Sequence, residues 1–234
     1  MPLKMPERDN PAGRLYRNMR AIKNCMHVHA GGGSIESVAT ELNLLDKSSF
    51  SLVAVIGDLR DEVNELQKLV DEVKSENPFK YDLWNQILVS VNASLATFTC
   101  NLDQKICGFA IDEDSLNDLQ LIAVDLPVEE TVPPDELEKI RQLCDDMRKE
   151  VLASTTFSKL LKIWLLDLIS LMQEGIDKYR IRGSRGLRKR FREMVGTLAT
   201  NPEYMEQVKK EDPSLWEKLA KGFDWMKNVS EAIR

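Results

Sequence analysis

The chain has 234 residues, 43% of them hydrophobic, 30% charged and 6% aromatic, and a formal net charge of −6. That balance excludes a disordered polymer or a disulfide scaffold and suffices for a packed core in one large domain or two small ones. It also excludes bulk attraction to nucleic acid or an anionic membrane, so any such affinity must come from a local patch.

The first residues, MPLKMPERDNPAG, lack the apolar run of a signal peptide. The longest apolar stretch, LLKIWLLDLISLM at 160–172, is interrupted by Lys162 and Asp167 and is too short to span a bilayer. Cys25, Cys100, Cys107 and Cys144 show no C-x-x-C spacing and read as reduced core thiols. Together these features predict a cytoplasmic protein without a membrane-spanning segment.

In chain order, residues 11–29 predict a helix ended by Gly31-Gly32-Gly33, which reads as a flexible linker. Ser34 then caps a short helix, SIESVATELNLL. Leu52, Ile56, Leu59, Val63, Leu66, Val70 and Val73 follow at alternating spacings of four and three, a heptad seam. The residues between them are mostly charged, Asp58 among them, and the run DEVNEL, which holds Glu62, reads as a solvated helix face. Pro78 breaks the seam, and a second one runs through Trp84, Leu88, Val91, Leu95 and Phe98. Two such seams joined by a short breaker predict an antiparallel helical hairpin, closed within the chain or used as a dimeric coiled coil.

Residues 99–111 read as a loop. Asp112 or Asp114 caps a helix carrying Leu116, Leu119, Ile122, Ala123 and Leu126. Pro134 falls in the first turn of a helix with Leu137, Ile140, Cys144, Met147 and Val151 on its apolar side. Residues 156–178 are apolar over more than half a helical circumference, the pattern of a central helix in a bundle. Asn201-Pro202 and Asp212-Pro213 open two further helices. The predicted architecture is all-α: N-terminal helices and hairpin over 1–105, a bundle over 112–200, and an amphipathic appendage over 201–234.

Between residues 180 and 192 the acidic chain concentrates six arginines and a lysine. Gly183 suits a left-handed position ending one helix, and Ser184 caps the next, whose apolar stripe is Leu187, Phe191, Met194, Val195 and Leu198. Arg180, Arg182, Arg185, Arg188, Lys189 and Arg192 then form a basic corner. Such residues tie helices together through ion pairs, dock an acidic partner, or hold phosphate with backbone N–H groups and guanidiniums. The absence of Gly-Lys-Ser/Thr excludes a Walker loop.

From IDEDSLNDLQLIAVDL through PPDELEKIRQLCDDMRKEVL to GIDKYRIRGSRGLRKRFREMVG, about residues 110–200, the chain resembles a family of uncharacterised bacterial all-helical proteins. Their Tyr-Arg-Ile-x-Gly-x-x-Gly-Leu-Arg corner matches Tyr179, Arg180, Ile181, Gly183, Gly186, Leu187 and Arg188. The resemblance implies a bacterial or phage-encoded cytosolic protein in a setting of anti-phage defence or mobile elements. It brings no established activity. Family members usually carry Ala or an acid at the position of Arg190, so the basic charge there is a departure.

Two other constellations bear on chemistry. Cys25 and His29 lie one helical turn apart, but two ligands do not make a structural zinc site, and neither a metal nor another cofactor is expected. Arg20 and His27, six residues apart, fit the Arg-x4–6-His pattern of HEPN ribonucleases, where such a pair activates a ribose hydroxyl; Ala21 replaces the polar residue usual after the arginine. On the last helix, Trp216, Leu219, Phe223 and Met226 share a face suited to self-packing or a partner helix, and the mixed charges opposite it argue against a membrane surface. The sequence predicts a non-enzymatic helical interaction or assembly protein, with phosphate or nucleic-acid binding through 180–192, or a HEPN-like ribonuclease, as alternatives.

Overall fold

A computed structural model of the chain describes residues 9–27, 33–42, 44, 49–74, 76–101, 106–129 and 131–231. It is all-α apart from three very short strands, and it divides into two compact units, one running to Val128 and the other from Glu129.

In the first unit, four helices form a ring: α1 (Pro11–His27), α3 (Ser49–Val73), α4 (Pro78–Ala96) and α5 (Glu113–Asp125). Polar cross-links fix their directions. Asn10 at the start of α1 donates to the Ala123 carbonyl at 2.8 Å, while Arg20 and Lys23 reach Glu113 at the other end of α5. Lys80 pairs with Asp125 at 3.0 Å, and the Ser90 and Ser115 hydroxyls meet at 2.6 Å. Between α3 and α4, Arg60 donates to the Leu95 carbonyl at 3.1 Å and Gln67 to Asn85 at 3.2 Å. Each of these neighbours is therefore antiparallel, and closing the ring makes α1 and α3 antiparallel too.

Both heptad seams face this core. Leu52, Leu59, Leu66 and Val70 are closed to solvent, as are Val91 and Leu95, against Leu15, Met19 and Ile22 of α1 and Leu116, Leu119 and Ile122 of α5. Each fully buried aliphatic side chain contributes roughly 1.5–3 kcal/mol of transfer free energy. The stripe on α5 is thus satisfied in the first unit. The expected segments 1–105 and 112–200 give way to a division at 128/129, because α1, α3 and α4 leave one side of the ring open until α5 fills it.

Capping follows the sequence closely. Ser34 accepts from the Ser37 N–H and caps α2 (Ile35–Glu41), and Asp112 accepts from the Ser115 N–H at the start of α5. Two expectations are corrected. Glu62 is buried, not solvated, and Asp58 one turn before it is buried too, because α1 covers that side of α3. The connections read as linker and loop contain strands β1 (Gly33–Ser34), β2 (Thr99–Asn101) and β3 (Ile106–Gly108), an antiparallel sheet of order β1-β3-β2. Gly31, Gly32 and residues 102–105 lie outside the described residues.

The second unit repeats the plan. Its ring is α6 (Pro134–Ala153), α7 (Lys159–Asp177), α8 (Tyr179–Thr200) and α10 (Pro213–Glu231), with α9 (Pro202–Glu211) packed on α10 and α8. Cys144, Met147, Val151, Leu161, Leu165, Ile169, Met172, Leu187, Val208, Leu215 and Met226 form the core. The segment read as an appendage, 201–234, supplies one wall of this bundle. Helix α7, expected at the centre, is a wall as well: Leu160 and Ile163 are 66% and 46% exposed. Among the described residues, no helix is long and apolar enough to cross a membrane.

Candidate functional site

The basic corner is built from the start of α8. Its helical run is interrupted at Gly183, where φ is 55° and ψ is −158°. The positive φ agrees with the sequence, but ψ is extended and not left-handed helical, a combination open in practice only to glycine. The break re-aims the chain after one turn. Tyr179 locks it: its hydroxyl accepts the Val132 N–H at 2.7 Å and lies 3.4 Å from the Ser184 hydroxyl. Ser184, expected as a cap, is buried beside that tyrosine. Gly186 lets the Arg182 stem cross the helix, since a Cβ there would stand 2.5 Å from the Arg182 Cβ.

Beyond the break, Leu187 and Met194 are buried and Phe191 packs on Phe223 with ring centroids 4.8 Å apart. Val195, placed in the same stripe by its spacing, is instead exposed. The cations differ in their surroundings. Arg185 pairs with Glu129 at 3.2 Å, and Arg190 is clasped between Glu174 of α7 and Glu193. These two hold the unit together. Arg180, Lys189 and Arg192 are exposed, while Arg182 and Arg188 are half-buried. Lys189 and Arg192, one helical turn apart, make no ion pair among the described residues.

A groove lies between the first half of α6 and the second half of α10. It encloses about 680 Å³, with Asp135, Glu136, Glu138 and Asp146 among its polar lining and Ile140, Leu143 and Trp225 as its apolar part. The sequence showed each helix but not the groove, which exists only because α10 packs antiparallel to α6. Lys218 meeting Glu150 fixes one end of that packing.

The remaining predicted residues are placed as follows. On α10, Leu219 and Met226 are buried, Phe223 meets Phe191, and Trp216 lies under the Lys209 ammonium at 4.8 Å. This face is engaged in its own unit, so it is not a free surface for a partner helix. Arg20 is bound to Glu113, whose carboxyl is lowered to about 2 by hydrogen bonds from Lys23 and Arg20. A nearby cleft of about 480 Å³ is lined by Lys23, Met26, Ser94, Phe109 and Asp112, and not by Arg20. The His27 side chain and all of His29 lie outside the described residues. Cys25 is free and half-buried, and no group of three or more His, Cys, Asp or Glu suited to a metal occurs among the described residues.

The described residues thus define an all-α protein of two units, each built on a ring of four helices, the second with an outward basic face. No family model, curated protein or solved structure matches the chain.

Proposed function

We propose that this is a helical interaction protein that docks an acidic partner surface on the outer face of α8. The observation that carries the reading is the division of labour among its cations. Arg185 and Arg190 are consumed by Glu129, Glu174 and Glu193, whereas Lys189 and Arg192 stand exposed on the same helix with no ion pair among the described residues. Cations needed only to tie helices together resemble the first pair; the second pair is left for a ligand. The Gly183 break and the Tyr179–Val132 hydrogen bond hold this face rigidly, which lowers the entropy lost on docking. Assembly within a defence or mobile-element system is the setting that the corner motif suggests, by analogy alone.

Fluorescence anisotropy tests the proposal, with a labelled oligoglutamate as the acidic probe and a labelled oligouridylate as the phosphate probe. The proposal expects oligoglutamate to bind and the affinity to fall about tenfold or more in Lys189→Ala/Arg192→Ala, the loss of two charge-assisted contacts. Preference for oligouridylate with a steep salt slope supports the nucleic-acid alternative instead. Binding of neither probe overturns both readings.

A further inference from the structure

We infer that the acidic partner of the α8 face is a second copy of this chain, docked head-to-tail through the groove between α6 and α10. The inference rests on the reading of α8 as a docking surface and supplies its partner. In the second unit α6 and α8 are the diagonal members of the ring, each packed on α7 and α10. Their outer faces therefore look in opposite directions across one bundle.

Those two faces are chemically complementary. Of the seven cations between 180 and 192, Arg185 and Arg190 are held by acids of their own unit, and Lys189 and Arg192 are exposed with no ion pair among the described residues. The groove presents Asp135, Glu136, Glu138 and Asp146 against two lysines, Lys139 and Lys221, around Leu143 and Trp225. Several of these acids already touch a base within α6: Asp135 with Lys139, Glu138 with Arg141, Asp146 with Lys149. All three are contacts of exposed acids with neighbours three or four residues on, and such pairs are weak enough for an incoming cation to displace. Glu136 makes no ion pair among the described residues. An acid rim over an apolar floor suits a lysine or arginine, whose aliphatic stem covers the floor while its head reaches a carboxylate. The indole adds attraction for a cation. Lys189 and Arg192 offer such side chains from one helix face.

The placement also selects the symmetry. A two-fold pair joined through α8 would set cations against cations, so the favoured contact is heterologous, groove to basic face. Repeating it gives a ring or an open chain of copies.

Sedimentation velocity of the full chain, across protein concentration and salt, tests this. Wild type should associate as concentration rises and dissociate as salt rises. Lys189→Ala/Arg192→Ala and Glu136→Gln/Asp146→Asn should each weaken association about tenfold or more, the loss of two rim pairs. An equimolar mixture of the two variants should form a heterodimer that stops there, because one intact basic face meets one intact groove. A wild type that stays monomeric throughout, or association unchanged in either variant, overturns the inference. If wild type is monomeric yet oligoglutamate binding still depends on Lys189 and Arg192, only the identity of the partner falls; if that binding is also lost, the docking face falls with it.

Discussion

Arg14 and Glu62 form an ion pair closed to solvent on both sides: Nη2 of Arg14 lies 3.1 Å from Oε2 of Glu62, with 1% and 5% of the two side chains exposed. Because α1 and α3 run antiparallel, one turn onward on α1 and one turn back on α3 bring Asn18 and Asp58 to the next level of the same seam. Both are buried. The first unit therefore has a polar ladder inside a largely apolar ring. Charges in such a place specify register more than they stabilise, because desolvation cancels most of their attraction.

Removing one partner exposes that cancellation. Arg14→Met should destabilise the first unit by ~3–5 kcal/mol, since the Glu62 carboxylate stays buried and loses the Arg14 guanidinium. Arg14→Met/Glu62→Leu should recover most of the loss or exceed wild type. Urea denaturation of the three proteins measures both steps, and a double variant as weak as the single one would show that the pair itself is the source of stability.

Gly183→Ala should cost about 1–3 kcal/mol, because alanine is strained at φ 55°, ψ −158°. The damage should be confined to the second unit. Hydrogen exchange that reports loosened amides around 179–190, with the first unit unchanged, is the expected signature; an unchanged melting temperature would contradict it.

Much of this fold was legible in the sequence, for reasons visible in particular residues. Heptad spacing located the buried faces of α3 and α4, and Ser34, Asp112 and Pro134 marked the starts of α2, α5 and α6, because caps and periodicity are local signals. The burial of Glu62 has no local signal, because its partner Arg14 lies more than forty residues away on α1. The three strands escaped notice because two or three residues are too few to show an alternating period. At the site, spacing found the cations of α8 but could not divide them: Arg190 and Lys189 are neighbours in sequence, and Arg190 alone of the two pairs with Glu174 of α7 and with Glu193. The α6–α10 groove left no trace, since neither helix alone encodes it.

Cys144 is fully buried, and burial raises its thiol to about 12. The thiolate is the reactive form, so Cys144 should resist iodoacetamide in the native protein at mildly alkaline pH and react only on unfolding. Peptide mass spectrometry after timed alkylation checks this. Rapid native modification at Cys144 would mean that the second core opens readily.

Glu113 gives a pH dependence of definite sign. Its carboxyl is lowered from 4.5 to about 2 in the folded chain by Lys23 and Arg20, so its contribution to stability is complete above about 4.5 and is lost as the pH falls towards 2. Half of the Glu113 side chain is exposed, so the effect is small and weakened by salt. The stability gap between wild type and Glu113→Gln should narrow on acidification over that window. A gap that stays constant from neutral pH to 2 would remove the ion-pair explanation.

The most direct test of the α8 face is a paired comparison of thermal melting and oligoglutamate affinity in two variants. Arg190→Ala should lower the melting temperature by a few degrees, on the order of 1–2 kcal/mol for a partly buried charge pair, and leave binding within about twofold. Lys189→Ala/Arg192→Ala should leave melting unchanged and lose binding. If the exposed pair changes melting as much as Arg190 does and leaves binding intact, the face is scaffolding and the proposed docking surface does not exist.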